Sequence, residues 1–212
     1  MKIFITGINT NVGKTFTTGL LAKEILERKI DIITMKIIQT GNSSKISEDI
    51  LTHRRLMGID IKKEDLDGLT CPYVFKFPSS PHLAARLESI DISIEKINNC
   101  IKELEKKYKI VIIEGAGGLC TPIKENITTL DWFFKSPMEI IVVTTPILGS
   151  ISQTILTVKP LVEKGFKPIV FYNEFFEENE TIKIDSFNYL KNYFKNLFIS
   201  NEIKSIANYL LS

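Results

Sequence analysis

A chain of 212 residues, 44% hydrophobic and 25% charged, has the composition of a soluble globular protein long enough to bury its own core. Twenty-seven Lys and Arg against 25 Asp and Glu leave a formal charge of +2, which argues against a partner held mainly through a nucleic-acid backbone. Cys71, Cys100 and Cys120 are scattered, with no CxxC pair; they read as free thiols of a reducing compartment, each a small buried hydrophobe, and not as a zinc site. No apolar run approaches ~18 residues, and MKIFITG is too short and alternating for a signal peptide. The expectation is a cytoplasmic protein that neither spans a membrane nor binds nucleic acid.

Ile3 to Thr6 reads as a first strand and Gly13 to Arg28 as a helix, with Phe16, Leu20, Leu21, Ile25 and Leu26 at helical spacing. Ile30 to Met35 is a second strand. Ser47 to Met57 is a helix with Ile50, Leu51 and Leu56 toward one face and His53 on its surface. A less regular stretch runs from Gly58 to Ser80. Ser80 with Pro81 then looks like a helix start that accounts for His82. Ser93 to Tyr108 is an amphipathic helix, Ile110 to Ile113 an apolar strand, and Met138 to Val143 another. Ser150 to Lys164 is a helix, Pro168 to Tyr172 a strand, and Ile182 to Leu211 mainly helix, broken near Phe198. The tail aromatics Phe187, Tyr189, Tyr193, Phe194 and Phe198 read as cover for the core.

Short apolar strands separated by amphipathic helices predict one α/β domain over residues 1–212, a parallel sheet with helices on both faces. Ligands of such sheets sit beyond the carboxyl ends of the strands. The loop after the first strand, Lys36 after the second and EGAGG after the Ile110 strand should converge there.

Gly7 to Thr15 reads GINTNVGKT and matches GxxxxGK(S/T), the phosphate loop of P-loop NTPases, between a strand and a helix as that motif requires. Its glycines let backbone approach phosphate oxygens, and backbone N–H groups face the anion. Lys14 reaches the outer phosphates and Thr15 can hold Mg²⁺. A triphosphate with Mg²⁺ needs a carboxylate besides the loop, and Glu114, closing an apolar strand, stands where that acid would sit. Asp49, in SEDIL, reads either as a second such acid or as a helix first-turn charge. Lys36 reads either as a cation for a transferring phosphoryl group or as a solvated strand end. Thr40 and Gly41 contact a ligand or form a turn.

In order, GINTNVGKT, MKIIQTG, SEDIL, PSSPH, EGAGGLCTPI, DW and LGSIS closely resemble dethiobiotin synthetase, over Met1 to Asn173. The resemblance implies a homodimeric α/β P-loop enzyme that closes a ureido ring from 7,8-diaminononanoate, CO₂ and ATP with Mg²⁺. It implies that Lys14, Lys36 and Thr10 serve the reacting groups. Asn11, Val12, Gly13, Lys14, Thr15 and Phe16 would cradle phosphates, Thr15, Asp49 and Glu114 would hold Mg²⁺, and Gly115, Ala116 and Gly117 would border the nucleotide. Thr40 and Gly117 would meet the diamine. Leu148, Gly149 and Ser150 would receive its carboxylate from a neighbouring subunit, and Asn173 would read the base.

The chain departs from that family in four places. Asn11 stands where many members have Glu. Pro146 and Ile147 replace a Lys before the LG pair, Asn173-Glu174 replaces Asn-Asp, and a GxIP-type tail segment is missing. A looser nucleotide preference is expected. The residues themselves leave two other readings open. One is an amidating synthase of the cobyrinate kind, for whose glutaminase domain 212 residues leave no room. The other is a nucleotide-switched partitioning or scaffolding ATPase, disfavoured by Thr6 where that group carries a second lysine.

Overall fold

A computed structural model describes residues 1–136 and 138–212. Among the described residues, six parallel strands form one sheet in the order β2-β3-β1-β6-β7-β8. They are β1 (Lys2–Gly7), β2 (Ile32–Lys36), β3 (Ile110–Glu114), β6 (Glu139–Thr144), β7 (Ile169–Tyr172) and β8 (Ile199–Ser200). A small antiparallel pair, β4 (Pro122–Lys124) and β5 (Ile127–Thr128), stands apart.

Alternation along the strands explains the layering. Ile3 and Ile5 face one apolar cluster with Leu21, Ala22 and Ile25 of α1 (Lys14–Glu27) and Ile206 and Ala207 of α9 (Ile203–Leu211). Phe4 faces the other cluster, built by α5 (Ile94–Lys107), α6 (Thr129–Lys135), α7 (Ser150–Glu163) and α8 (Glu180–Tyr193). With both faces covered, β2 and β3 are buried at every residue, so they read as continuous apolar runs.

The chain leaves β1 toward β2 and leaves β3 toward β6, on the opposite side of β1. The carboxyl ends of β1 and β3 therefore flank a topological switch point, where such sheets open a crevice. The α2 helix (Glu48–Met57) packs on α1 beside it. A Cβ at Gly19 of α1 would come within 2.6 Å of Leu56, so glycine there permits the close approach.

Several expectations change. The tail holds a sixth strand, β8, between α8 and α9, where unbroken helix was expected apart from a break near Phe198. Its two residues give no periodicity to read. Tyr189 and Tyr193 do not cover the core; they are about half exposed and stack on each other, while Phe187, Phe194 and Phe198 pack inward. Cys71 is buried but Cys120 is exposed, and all three thiols are free. The irregular stretch contains one helical turn, α3 (Lys63–Leu66), and the Pro81 start opens α4 (Pro81–Leu87). No helix among the described residues is long and apolar enough to cross a membrane.

Candidate active site

The phosphate loop leaves β1 at Gly7 and enters α1 at Lys14. Its last residue, Gly13, has φ +94°, and a Cβ there would meet Asn173 Nδ2 at 2.1 Å, so glycine is required twice over. Asn11, with φ +57°, also takes the left-handed region, which Asn tolerates better than most residues. Asn173, buried just after β7, donates from Nδ2 to the Val12 carbonyl at 3.0 Å and accepts from Phe175 N–H at 3.3 Å. Its amide thus braces the loop from behind.

Lys14 is buried, and its Nζ donates across the loop to the Asn9 carbonyl at 2.9 Å. Burial, helped by the charge of Lys36, lowers its ammonium pKa to about 8. Next to it, Thr15 Oγ1 lies 3.0 Å from Asp49 Oδ1 and 3.0 Å from Glu114 Oε1. A hydroxyl carries one proton and serves only one of these oxygens at a time. Lys36 supplies the missing positive charge, with Nζ 2.7 Å from Asp49 Oδ2, 2.8 Å from Glu114 Oε1 and 3.0 Å from the Gly115 carbonyl. Burial opposes that charge, but Glu114 and Asp49 more than compensate and hold the Lys36 pKa above the ordinary lysine range. Burial likewise opposes ionisation of Glu114. Lys36 and His53 outweigh it, and the carboxyl stays far below the usual carboxylate range.

Sheet register brings these groups together. Lys36 and Glu114 are partners at the carboxyl ends of β2 and β3, and Ile5 of β1 pairs with Glu114 on the other side. Asp49 comes from the first turn of α2, capped by Ser47, whose hydroxyl accepts from Ile50 N–H and donates to Gln39 Oε1 at 2.7 Å. The helix is fastened by Arg54, which forks onto Asp65 at 2.7 and 2.8 Å and donates to Thr34 of β2. After β3 the chain turns tightly: a Cβ at Gly115 would lie 2.9 Å from the Phe4 ring, and Gly117 has φ +68°.

A cavity of about 460 Å³ opens on this cluster. Of the predicted site residues, Thr10, Asn11, Gly13, Lys14, Thr15, Phe16, Lys36, Thr40, Asp49, Glu114 and Gly117 line it. Val12, Gly115 and Ala116 do not line it; Val12 and Ala116 are buried in the apolar clusters. Leu148, Gly149 and Ser150 lie elsewhere. Gly149 caps α7 with φ +95°, Ser150 shares a hydrogen bond with Thr145 Oγ1 at 2.8 Å, and Leu148 is 87% exposed. Lys36 is buried and bridged, so its reading as a solvated strand end is set aside.

Two residues escaped the sequence reading. Gln39 lines the cavity and binds the Ser47 cap. His53, expected on the helix surface, is fully buried, with Nε2 2.8 Å from Glu114 Oε2. The signal was present: His53 follows Asp49 by one helical turn and shares its face. A face sought only among apolar residues passes over the buried His53 and Arg54.

Thr15, Asp49 and Glu114 form a set of hard oxygen donors in mutual reach, as a divalent cation such as Mg²⁺ prefers. Among the described residues no group of three or more His, Cys, Asp or Glu is placed to hold a metal ion. A cation here would complete its shell with phosphate and water, as in nucleotide sites.

A phosphate loop on a switch point, backed by lysine and two carboxylates, defines the protein as a P-loop NTPase-type α/β fold. A family model described as an AAA domain matches residues 1–187. Solved structures with the same architecture include a ParA family ATPase from Chlorobium tepidum, with TM-score 0.54 at 17% identity, covering 97% of this chain and 87% of that one. MinD of Aquifex aeolicus gives 0.52 at 17% identity, covering 98% and 86%. At that identity the likeness concerns the fold alone. Among curated proteins, the ATP-dependent dethiobiotin synthetase BioD 2 of Pasteurella multocida is 45% identical over 191 residues, 90% of this chain and 89% of that protein. Its namesake in Haemophilus influenzae is 46% identical over 172 residues, 81% of this chain and 90% of that protein. The chain belongs to the ATP-dependent dethiobiotin synthetase family.

Proposed function

We propose that the chain is a Mg²⁺-dependent dethiobiotin synthetase that closes a ureido ring on 7,8-diaminononanoate with CO₂ and ATP. The observation that carries this reading is the convergence of two ammonium groups and two carboxylates on one cavity at the phosphate loop, in a chain of this family. One amine of the substrate takes up CO₂ as a carbamate. A carbamate oxygen attacks the γ-phosphorus, ADP departs, and a carbamic-phosphoric anhydride remains. The second amine attacks the carbonyl carbon, the new C–N bond closes the ring, and phosphate leaves with release of a proton.

Such chemistry needs positioning and positive charge more than it needs an acid or a base. Backbone N–H groups from Asn11 to Phe16 cradle the phosphates, and Lys14 and Lys36 offset charge on the carbamate and the phosphoryl group in flight. Mg²⁺ on Thr15, Asp49 and Glu114 would neutralise phosphate charge and orient the γ-phosphoryl group. Gly115 and Ala116 border the nucleotide. Thr10, Thr40 and Gly117 border the diamine. A second copy of the chain brings its Leu148–Ser150 segment to the diamine carboxylate, in a homodimer, at a helix N-terminus suited to an anion. The base end is open. Phe16 and Phe175 are 48% and 77% exposed with ring centroids 6.3 Å apart, and the Asn173 amide is engaged internally. Stacking with little hydrogen-bond readout supports a tolerant nucleotide preference. Three free thiols fit a cytoplasmic setting, and the reading takes residues 1–212 as one catalytic domain.

The test is incubation of the purified protein with MgATP, bicarbonate and 7,8-diaminononanoate, with dethiobiotin detected by mass. Product that requires all three components is expected. Phosphate release that ignores the diamine and answers instead to DNA, membrane or protein would replace this reading with a nucleotide-switched ATPase.

A further inference from the structure

We propose that His53 is a positioning residue for Glu114: its imidazole Nε2–H holds Oε2, so that Oε1 is the oxygen turned toward Thr15, Lys36 and a nucleotide-bound divalent cation. The inference rests on the reading of Glu114 as a cation ligand.

The two Glu114 oxygens have divided partners. Oε1 receives Thr15 Oγ1 at 3.0 Å and Lys36 Nζ at 2.8 Å, whereas Oε2 meets His53 Nε2 at 2.8 Å. An ionised carboxylate only accepts, so the proton of this bond lies on Nε2. His53 and Glu114 are 0% and 1% exposed, so bulk solvent does not compete for Oε2. A buried carboxylate bonded on one side only could turn about its terminal torsion and offer either oxygen, or both, to a cation. The histidine removes that freedom.

Two further features point the same way. Asp49 and His53 lie one turn apart on α2, so a single helix delivers one carboxylate and orients the other. The remaining ring nitrogen, Nδ1, is buried with no hydrogen-bond partner among the described residues. An apolar side chain at position 53 would avoid that desolvation penalty, so histidine is a poor choice for packing alone.

The experiment titrates Mn²⁺ by electron paramagnetic resonance against the protein with a non-hydrolysable ATP analogue, and separately measures binding of the analogue without metal. His53→Leu is expected to weaken Mn²⁺ binding at least about tenfold while metal-free analogue binding stays unchanged. His53→Gln, whose amide nitrogen reaches the same position as Nε2, should remain within about threefold of the parent protein. His53→Asn, too short to reach Oε2, should follow the Leu variant, and it takes that variant's place if Leu does not fold. Full Mn²⁺ affinity in the Leu or Asn variant, or a Gln variant as weak as Leu, overturns the proposal while Glu114→Gln still loses the metal. A parent protein that binds Mn²⁺ no better than Glu114→Gln overturns the cation reading of Glu114 itself.

Discussion

The Nζ of Lys36 lies 2.8 Å from Oε1 of Glu114, and the two residues are register partners at the ends of adjacent strands. Neither backbone is placed by a flexible loop, and the Lys36 side chain is held by Glu114, Asp49 and the Gly115 carbonyl. A cation fixed in this way stabilises developing charge without reorganising during the reaction. Lys36→Met should therefore lower kcat by roughly 10² to 10³, while nucleotide affinity changes less than about threefold. Stopped-flow nucleotide binding beside steady-state product formation separates the two. A variant that keeps the parent rate would reduce Lys36 to a counter-ion for Glu114.

The sheet and its ligand edge were legible in the sequence because buried parallel strands leave short apolar runs such as Ile110–Ile113, and because GINTNVGKT is a local pattern. Asp49 could be read two ways from its own neighbourhood; only the packing of α2 on α1 brings it to Thr15. His53 and Arg54 were missed because their burial depends on Glu114 and Asp65, 61 and 11 residues away. Helical spacing puts His53 on the face of Asp49, but no local pattern names Glu114 or Asp65 as the partner that buries it or Arg54. Strand β8 was missed because two residues owe their extended form to pairing with β7 rather than to their own pattern.

Gly13 and Asn173 should be coupled. Gly13→Ala places a Cβ 2.1 Å from Asn173 Nδ2 in a residue with φ +94°, so either the Asn173 amide leaves the Val12 carbonyl or the loop shifts. Nucleotide affinity should fall at least about tenfold, from the left-handed strain of about 1–2 kcal/mol plus the clash. Asn173→Ala alone loses the bond to the Val12 carbonyl, with a milder loss of about 1 kcal/mol. In the double variant the clash is gone, and the combined loss of affinity should be smaller than the sum of the single losses. Strict additivity in a calorimetric double-mutant cycle would show that the Gly13→Ala loss does not come from the clash with Asn173, and an Asn173→Ala variant with full affinity would show that Asn173 does not brace the loop.

The exposed ring of Phe175 bears on nucleotide choice. If bases are held by stacking between Phe16 and Phe175, Phe175→Ala should raise KM for ATP, GTP and CTP by similar factors, about fivefold or more each. The parent protein should accept the three triphosphates with KM values within about tenfold of one another. Strict ATP selectivity that survives the Phe175 change would mean that a hydrogen-bonding base pocket exists and that stacking is secondary.

Asp65 makes the acid stability of the protein testable apart from catalysis. Burial alone would raise its carboxyl pKa. The forked bonds and charge of Arg54, then Thr70 Oγ1–H and the Lys62 N–H, outweigh burial and hold it below the usual carboxylate range. A folded-state pKa below the unfolded value of about 3.9 contributes stability that is full above about pH 4 and is lost as pH falls through the folded value. Asp65→Asn leaves Arg54 buried without its counter-charge and should cost about 3–5 kcal/mol near pH 7. The gap between the parent protein and Asp65→Asn should hold constant from about pH 7 down to about pH 5, then narrow below about pH 4. Urea unfolding of both proteins across that range measures it. A gap unchanged at pH 3 would mean that the carboxylate charge contributes nothing and that hydrogen bonding, which Asn partly preserves, fastens α2 to α3.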